Sequence, residues 1–152
     1  MSVEITPRGT HGKGMPKLPP AVYRAFNKFA FRLGQLGVMR TLVEVTTVGA
    51  RSGLRRTTTL MSFNDVTKSG SWLVVGSAGG DVKHPAWVLN MAAHPDRVTL
   101  DMGEGPFRVT PETLKGEERA KAWRHITTTA RQFAAYETNT DREIPVVRLT
   151  RS

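Results

Sequence analysis

Arg51, Arg55 and Arg56 crowd into and just after a tight turn, Gly49-Ala50-Arg51-Ser52-Gly53, flanked by threonine-rich segments. Guanidinium groups hold phosphate and carboxylate in a bidentate manner, so one arginine on a hairpin is a solvated charge. Three of them beside a second backbone anchor form an anion clamp. The sequence offers that second anchor. The apolar run Val74-Val75-Gly76-Ser77-Ala78 stops at Gly79-Gly80, and a short apolar segment begins at Pro85-Ala86-Trp87. Proline near a first turn marks a helix start. The glycines let another group approach the backbone, and the first N–H groups of the helix point to the same place. Such an arrangement holds an anionic or flat ligand. Taken alone, the second segment also reads as an ordinary strand–turn–helix junction.

Composition narrows the chemistry. The chain has 152 residues and no cysteine, so thiolate catalysis, disulfides and cysteine-held metals are excluded. His11, His84, His94 and His125 show no ligand-like spacing, and no metal site is expected. A net charge of +9 favours anionic partners. No helix-turn-helix, RNP-like or zinc-finger pattern accompanies it, and the charge is spread along the chain, so nucleic acid is not the expected partner. No apolar run is long enough to span a bilayer and no leader-like apolar segment opens the chain, which leads to the expectation of a cytoplasmic protein.

The elements that must position these residues follow from periodicity. Residues 1–19, rich in Gly, Pro, Lys and Arg, read as a flexible basic tail, and 20–152 as a single domain. Pro19 and Pro20 open a helix with an apolar stripe at Val22, Phe26, Phe29, Leu33 and Leu36. The stripe predicts packing on the core. Arg24, Lys28 and Arg32 share another face, either solvated or resting on the anionic inner surface of a membrane. Thr41–Val48 pairs with Arg56–Phe63 across the Gly49–Gly53 turn. Trp72–Ser77 is a buried strand, residues 86–93 a short helix, and Val98–Met102 with Phe107–Thr110 a second hairpin. Residues 117–136 are helical with a break near Thr127-Thr128-Thr129, because β-branched residues are poor helix formers. Ile144–Leu149 is the last strand. Short hairpin-linked strands with few helices predict an α+β fold: an antiparallel β-barrel with an N-terminal helix and helices packed outside.

Four motifs stand in order: Thr47 to Arg56 (T-x-G-x-[RK]-[ST]-G-x-x-R), Ser77 to Gly80 (S-x-G-G), Lys83 to Asn90 (K-x-P-x-W-x-L-N) and Thr140 to Val147 (T-D-R-x-I-P-V-V). Over residues 40–150 the chain resembles the deazaflavin-dependent nitroreductase family of actinobacteria. The resemblance implies a split β-barrel of the flavin-reductase, FMN-binding type and hydride transfer from reduced coenzyme F-420, with FMN as the less favoured cofactor. It implies that Arg51 and Arg56 hold the phosphate-containing, polyglutamate tail, while Arg55 is a solvent-facing charge. Thr59, Leu60 and Met61 match positions lining the cofactor, and Val75, Gly76 and Ser77 match the segment along its ring. Ala78 departs from relatives that carry a lysine there, which implies either a weaker hold on the tail than is typical of the family or compensation by Arg55 or Lys83. Trp87 packs either by the ring or in the core.

On the substrate side, Ala130, Phe133 and Tyr136 stand where nitroreductase relatives carry tyrosines, so the implied pocket is more apolar and nitro reduction is less favoured. Tyr136 is the first candidate proton donor and Ser77 the second. Each also has a purely structural reading, as a lid anchor and as a strand end. The implied activity is reduction of activated C=C bonds of enones, or of quinones, in a small lipophilic substrate, by a monomer or weak dimer. A non-catalytic F-420 carrier and a basic nucleic-acid or membrane-binding module are the alternatives.

Overall fold

The computed structural model describes residues 2–13, 19–35 and 42–152. Its centre is a seven-stranded antiparallel sheet curled into a half-barrel, in the order β2-β1-β5-β6-β7-β4-β3. The strands are β1 (Leu42–Val48), β2 (Arg55–Met61), β3 (Phe63–Asn64), β4 (Ser71–Val75), β5 (Val98–Asp101), β6 (Pro106–Thr113) and β7 (Val146–Arg151). The expected first hairpin forms with Val48 opposite Arg55 and Leu42 opposite Met61. The second of its strands ends earlier than expected. The chain turns at Ser62, and Phe63 crosses to pair with Leu73, which divides one predicted strand between the two edges of the sheet.

β4 and β7 lie inside the sheet, and Leu73–Val75 and Val146–Leu149 are buried on both faces, which explains why these stretches are apolar apart from Arg148. Val74, Val147 and Leu149 join Val43, Val45 and Leu100 in one core beneath helix α2 (Ala86–Ala93), which contributes Trp87, Val88 and Met91. Leu73, Val75 and Val146 face the other way, into a second core with Ile126 of α3 (Gly116–Thr129) and Phe133 of α4 (Gln132–Thr138). The predicted break between the last two helices falls at Ala130. The hydroxyls of Thr127, Thr128 and Thr129 donate back to the carbonyls of Trp123, Arg124 and His125, which weakens the last turn of α3.

Two expectations are corrected. The first concerns the N-terminal residues read as a flexible tail, because residues 2–13 lie along the domain as a strap. Val3 is buried in the first core. Gly9 N donates to Val82 O at 2.9 Å and Lys13 N to Gly80 O at 3.0 Å. The amides of Thr10 and His11 donate to the Asp141 carboxylate at 2.8 and 3.2 Å. With the Thr10 hydroxyl first among them, these bonds pull the Asp141 carboxyl down to about 2. Backbone bonding of this kind leaves no trace in composition.

The second correction concerns α1 (Pro20–Gln35), whose apolar stripe does not pack on the core. Val22, Phe26 and Phe29 are 51%, 63% and 61% exposed. Leu36 lies outside the described residues, as do the side chains of Leu33 and Arg32. Among the described residues no helix is long and apolar enough to cross a membrane.

Candidate active site

A cleft of about 1000 Å³ wraps around the exposed edge of β2. Its size falls at the upper end of small-ligand sites. The alternation of strand side chains divides it into two sides. Glu44, Thr46, Arg55, Thr57 and Thr59 share one face of the β1–β2 pair, where the hydroxyls of Thr46 and Thr57 meet at 2.9 Å. Arg24, Lys28 and Pro20 of α1 line the cleft together with these residues. Arg56 and Thr58 share the other face with Val43 and Val45, and there the cleft is closed by Ala86, Trp87, Leu89 and Asn90 of α2. Arg51 and Ser52, on the β1–β2 turn, complete the lining.

The turn is held in place by Asn90, a residue to which the sequence reading gave no role. Ala50 N donates to Asn90 Oδ1 at 2.9 Å, and Asn90 Nδ2 donates to Thr47 Oγ1 at 3.1 Å. Asparagine in mid-helix is a poor helix former, and its place among apolar neighbours is the sequence signal that it has a buried partner. Asn90→Ala should therefore lower stability by about 1–3 kcal/mol, since it strands the Ala50 amide and the Thr47 hydroxyl. It should also weaken binding of an anionic ligand through the loosened Arg51 turn. Denaturant unfolding and ligand titration check the two effects separately, and an unchanged titration would detach the turn from the site.

The charge of the cleft is strongly positive. Arg24, Lys28, Arg51, Arg55 and Arg56 line it, and none forms an ion pair with another described residue. Glu44 is the acidic residue among them. Burial, and then the neighbouring Asp101 across β1 and β5, raise its carboxyl above the usual glutamate value, with Lys28 acting in the opposite direction. Glu44, Arg24 and Lys28 are the cleft residues that the sequence reading did not place there.

Of the residues singled out from the sequence, the structure brings Arg51, Arg56, Thr59 and Trp87 together, and adds Arg55, which was expected to face solvent. Trp87 takes both of its alternatives, lining the cleft with part of its surface while packing in the first core. Leu60 packs against the first core and Met61 against the second.

The other predicted residues gather at a different place. Val75 is in the second core, Phe133 is buried beside it, and Tyr136 packs edge-on against Phe133 at 5.3 Å. Ser77 is buried and Lys83 exposed, and neither lines the cleft. A Cβ on Gly76 would stand 2.7 Å from Pro145 and 2.8 Å from Val88. At Gly80, whose φ is +88°, it would stand 2.7 Å from the carbonyl oxygen of Tyr136. The close approach that these glycines permit is thus made by the domain itself. Ala78, at φ +46°, is in the left-handed region that disfavours side chains.

Arg142, from the fourth motif, ties this second place together. Its guanidinium donates to Asp81 O at 2.9 Å, Gly76 O at 3.0 Å and Ser77 O at 2.7 Å. His84 Nδ1 lies 2.9 Å from Arg142 Nη1, and His84 Nε2 is 2.8 Å from Thr6 O. Burial first, and then the Arg142 charge, lower the His84 pKa. The neutral ring accepts from Arg142 and donates to the N-terminal strap.

Known proteins share the sequence and fold of this chain. The F420H(2)-dependent quinone reductase family matches residues 21–151. An F420H(2)-dependent quinone reductase of Mycobacterium tuberculosis is 34% identical over 145 residues, covering 92% of each chain. The solved structure of an F420-H2 dependent reductase is 39% identical with a TM-score of 0.62, over 72% of this chain and 94% of that one. A solved domain-swapped dimer is 34% identical with a TM-score of 0.63, over 85% of this chain and 96% of its own.

Proposed function

The chain belongs to the F420H(2)-dependent quinone reductase family, and from that membership we propose that the cleft around β2 binds coenzyme F-420 by its anionic tail, so that a lipophilic quinone is reduced beside it. The protein is an oxidoreductase, and reduced F-420 is its hydride donor. The observation that carries the binding reading is the donor set. Five cations, none of them in a salt bridge with another described residue, threonine hydroxyls and the amino end of α2 suit a phosphodiester followed by carboxylates.

Arg51 and Arg56 are assigned to the phosphate-containing part of the tail, and Thr59 and Trp87 to the ring side. Leu60 packs against the first core, and Met61, Val75, Gly76 and Lys83 stay outside the cleft lining. The bound cofactor supplies a hydride, and completing a hydroquinone also requires a proton. Tyr136 and Ser77 are the proposed donors; neither lines the cleft, and the Tyr136 carbonyl and the Ser77 carbonyl both approach Gly80. Glu44 offers a source inside the cleft, because burial and Asp101 raise its carboxyl above the usual glutamate value and favour the proton-bearing form. Activated C=C bonds of enones are the next acceptors by chemistry, and nitro compounds come after them. Membrane contact through the basic face of α1 finds no support in this placement, since Arg24 and Lys28 face the cleft.

Side-by-side fluorescence titration tests the cofactor. F-420 should bind much more tightly than FMN, and Arg56→Ala should weaken F-420 binding by about 1–3 kcal/mol, as expected for lost charge-assisted hydrogen bonds. Steady quinone turnover with reduced F-420 separates an enzyme from a non-catalytic carrier. Equal affinity for the two cofactors would overturn the assignment.

A further inference from the structure

We propose that helix α1 is the outer wall of the tail site: Arg24 and Lys28 bind the distal carboxylates of the cofactor tail opposite Arg55, so that affinity depends on tail length. The inference rests on the cofactor reading above and extends it to α1, which the family-like motifs do not reach.

The first support is the orientation of the helix. An amphipathic helix on a domain surface normally turns its apolar stripe inward and its charges outward. In α1, Val22, Phe26 and Phe29 stay exposed, and Arg24 and Lys28, exposed as well, line the cleft. Placing cations against other cations is unfavourable unless an anion lies between them.

The second support is the strand alternation. Arg55 shares a face with Thr57, Thr59 and Glu44, whereas Arg56 points to the α2 side. The two arginines therefore serve different sides of the cleft. A tail leaving Arg51 and Arg56 has only to pass over the β2 edge to reach a second group of cations, Arg24, Lys28 and Arg55. Arg24 and Lys28 stand one helical turn apart, on the same side of α1, which spaces them for two separate anionic groups. Glu44 lies on this side as well, and its negative charge limits the attraction, so a single anion gains little while several gain more.

The test uses the full chain and three probes: F-420 with a long oligoglutamate tail, F-420 with a single glutamate, and the tail-free deazaflavin alcohol. The proteins are wild type, Arg24→Gln/Lys28→Gln and Arg56→Ala. Wild type should prefer the long tail. The double variant should lose about tenfold or more in affinity for the long-tailed form, with a shallower salt dependence, and bind the tail-free alcohol as wild type does. Long-tailed F-420 should also protect residues 20–35 from limited proteolysis in wild type and not in the double variant. If the double variant binds long-tailed F-420 as wild type does while Arg56→Ala fails, the role of α1 is overturned and the cofactor reading stands. Equal weakening toward all three probes would also overturn it, because the helix would then act only on the fold. If wild type binds none of the three, both readings fall.

Discussion

Arg148→Met is expected to destabilise the protein by about 3–5 kcal/mol, the range for removing one partner of a buried ion pair. Arg148 and Asp65 are both buried, with Nε and Oδ2 at 2.5 Å. The same guanidinium donates to Thr67 Oγ1 at 2.6 Å and to Glu118 Oε2 at 2.5 Å, joining β7, the β3–β4 connection and the start of α3. Methionine fills the volume but leaves the Asp65 carboxylate without its cation. The pH dependence gives a second readout. Burial alone would raise the Asp65 pKa, but hydrogen bonds from Arg148 and Thr67 outweigh it, and the net value lies below the ordinary 3.8. A carboxyl with a depressed folded pKa adds stability above its unfolded value, and that stability is lost as pH falls through the folded value. In the variant burial dominates, so the carboxyl prefers to be protonated. The stability gap between wild type and variant should therefore narrow from pH 7 to pH 4 in denaturant unfolding. Asp65→Leu/Arg148→Met should recover part of the loss, because it removes the stranded charge. A single variant as stable as wild type would show that water already relieves the pair.

Arg148 shows what the sequence concealed. Val146, Val147, Arg148 and Leu149 read as one apolar strand with an interruption, and nothing local says that the arginine is buried with a partner 83 positions away. Local signals carried well. Alternation and the Gly49–Gly53 turn gave the β1–β2 hairpin, and three consecutive threonines located the break between α3 and α4. Ordered motifs gave the family. What failed was sidedness. The period of α1 identified an apolar stripe but could not say what each face would meet: Val22, Phe26 and Phe29 stay exposed, and Arg24 and Lys28 line the cleft. The glycines at 76 and 80 correctly announced a close approach. Their neighbours Pro145 and Tyr136 come from a distant part of the chain, so the sequence could not name what approaches. That Arg51 and Arg56 stand close together was legible because a turn gathers charges locally, whereas Arg24, Lys28 and Glu44 reach the cleft only through tertiary packing.

Arg142→Met carries the second large expected effect, again about 3–5 kcal/mol, because it breaks a buried charged network. One guanidinium satisfies the carbonyls of Gly76, Ser77 and Asp81 and faces the ring of His84. Charge-assisted bonds contribute more than neutral ones, and buried carbonyls left without donors add their own cost. Arg142→Lys keeps the charge but offers one nitrogen, which cannot span three diverging acceptors, so its loss should be intermediate. His84 distinguishes this network from mere packing. Its pKa is lowered from 6.5, by burial first and then by Arg142. A histidine held neutral in the folded state contributes stability that is fully present above its unfolded pKa and is lost as pH falls through the folded value. Wild type should thus become less stable below about pH 6.5 as His84 resists protonation. Arg142→Met removes the like charge beside the ring, so the His84 pKa, followed by NMR, should move up toward 6.5. The strap should loosen with the ring, since His84 bonds Thr6. Amide exchange at Gly9 and Lys13, whose N–H groups bond Val82 and Gly80, should then rise. An unchanged His84 titration in Arg142→Met would show that burial alone sets its pKa. The link from Arg142 through His84 to the strap would then fail, even if the stability loss remained.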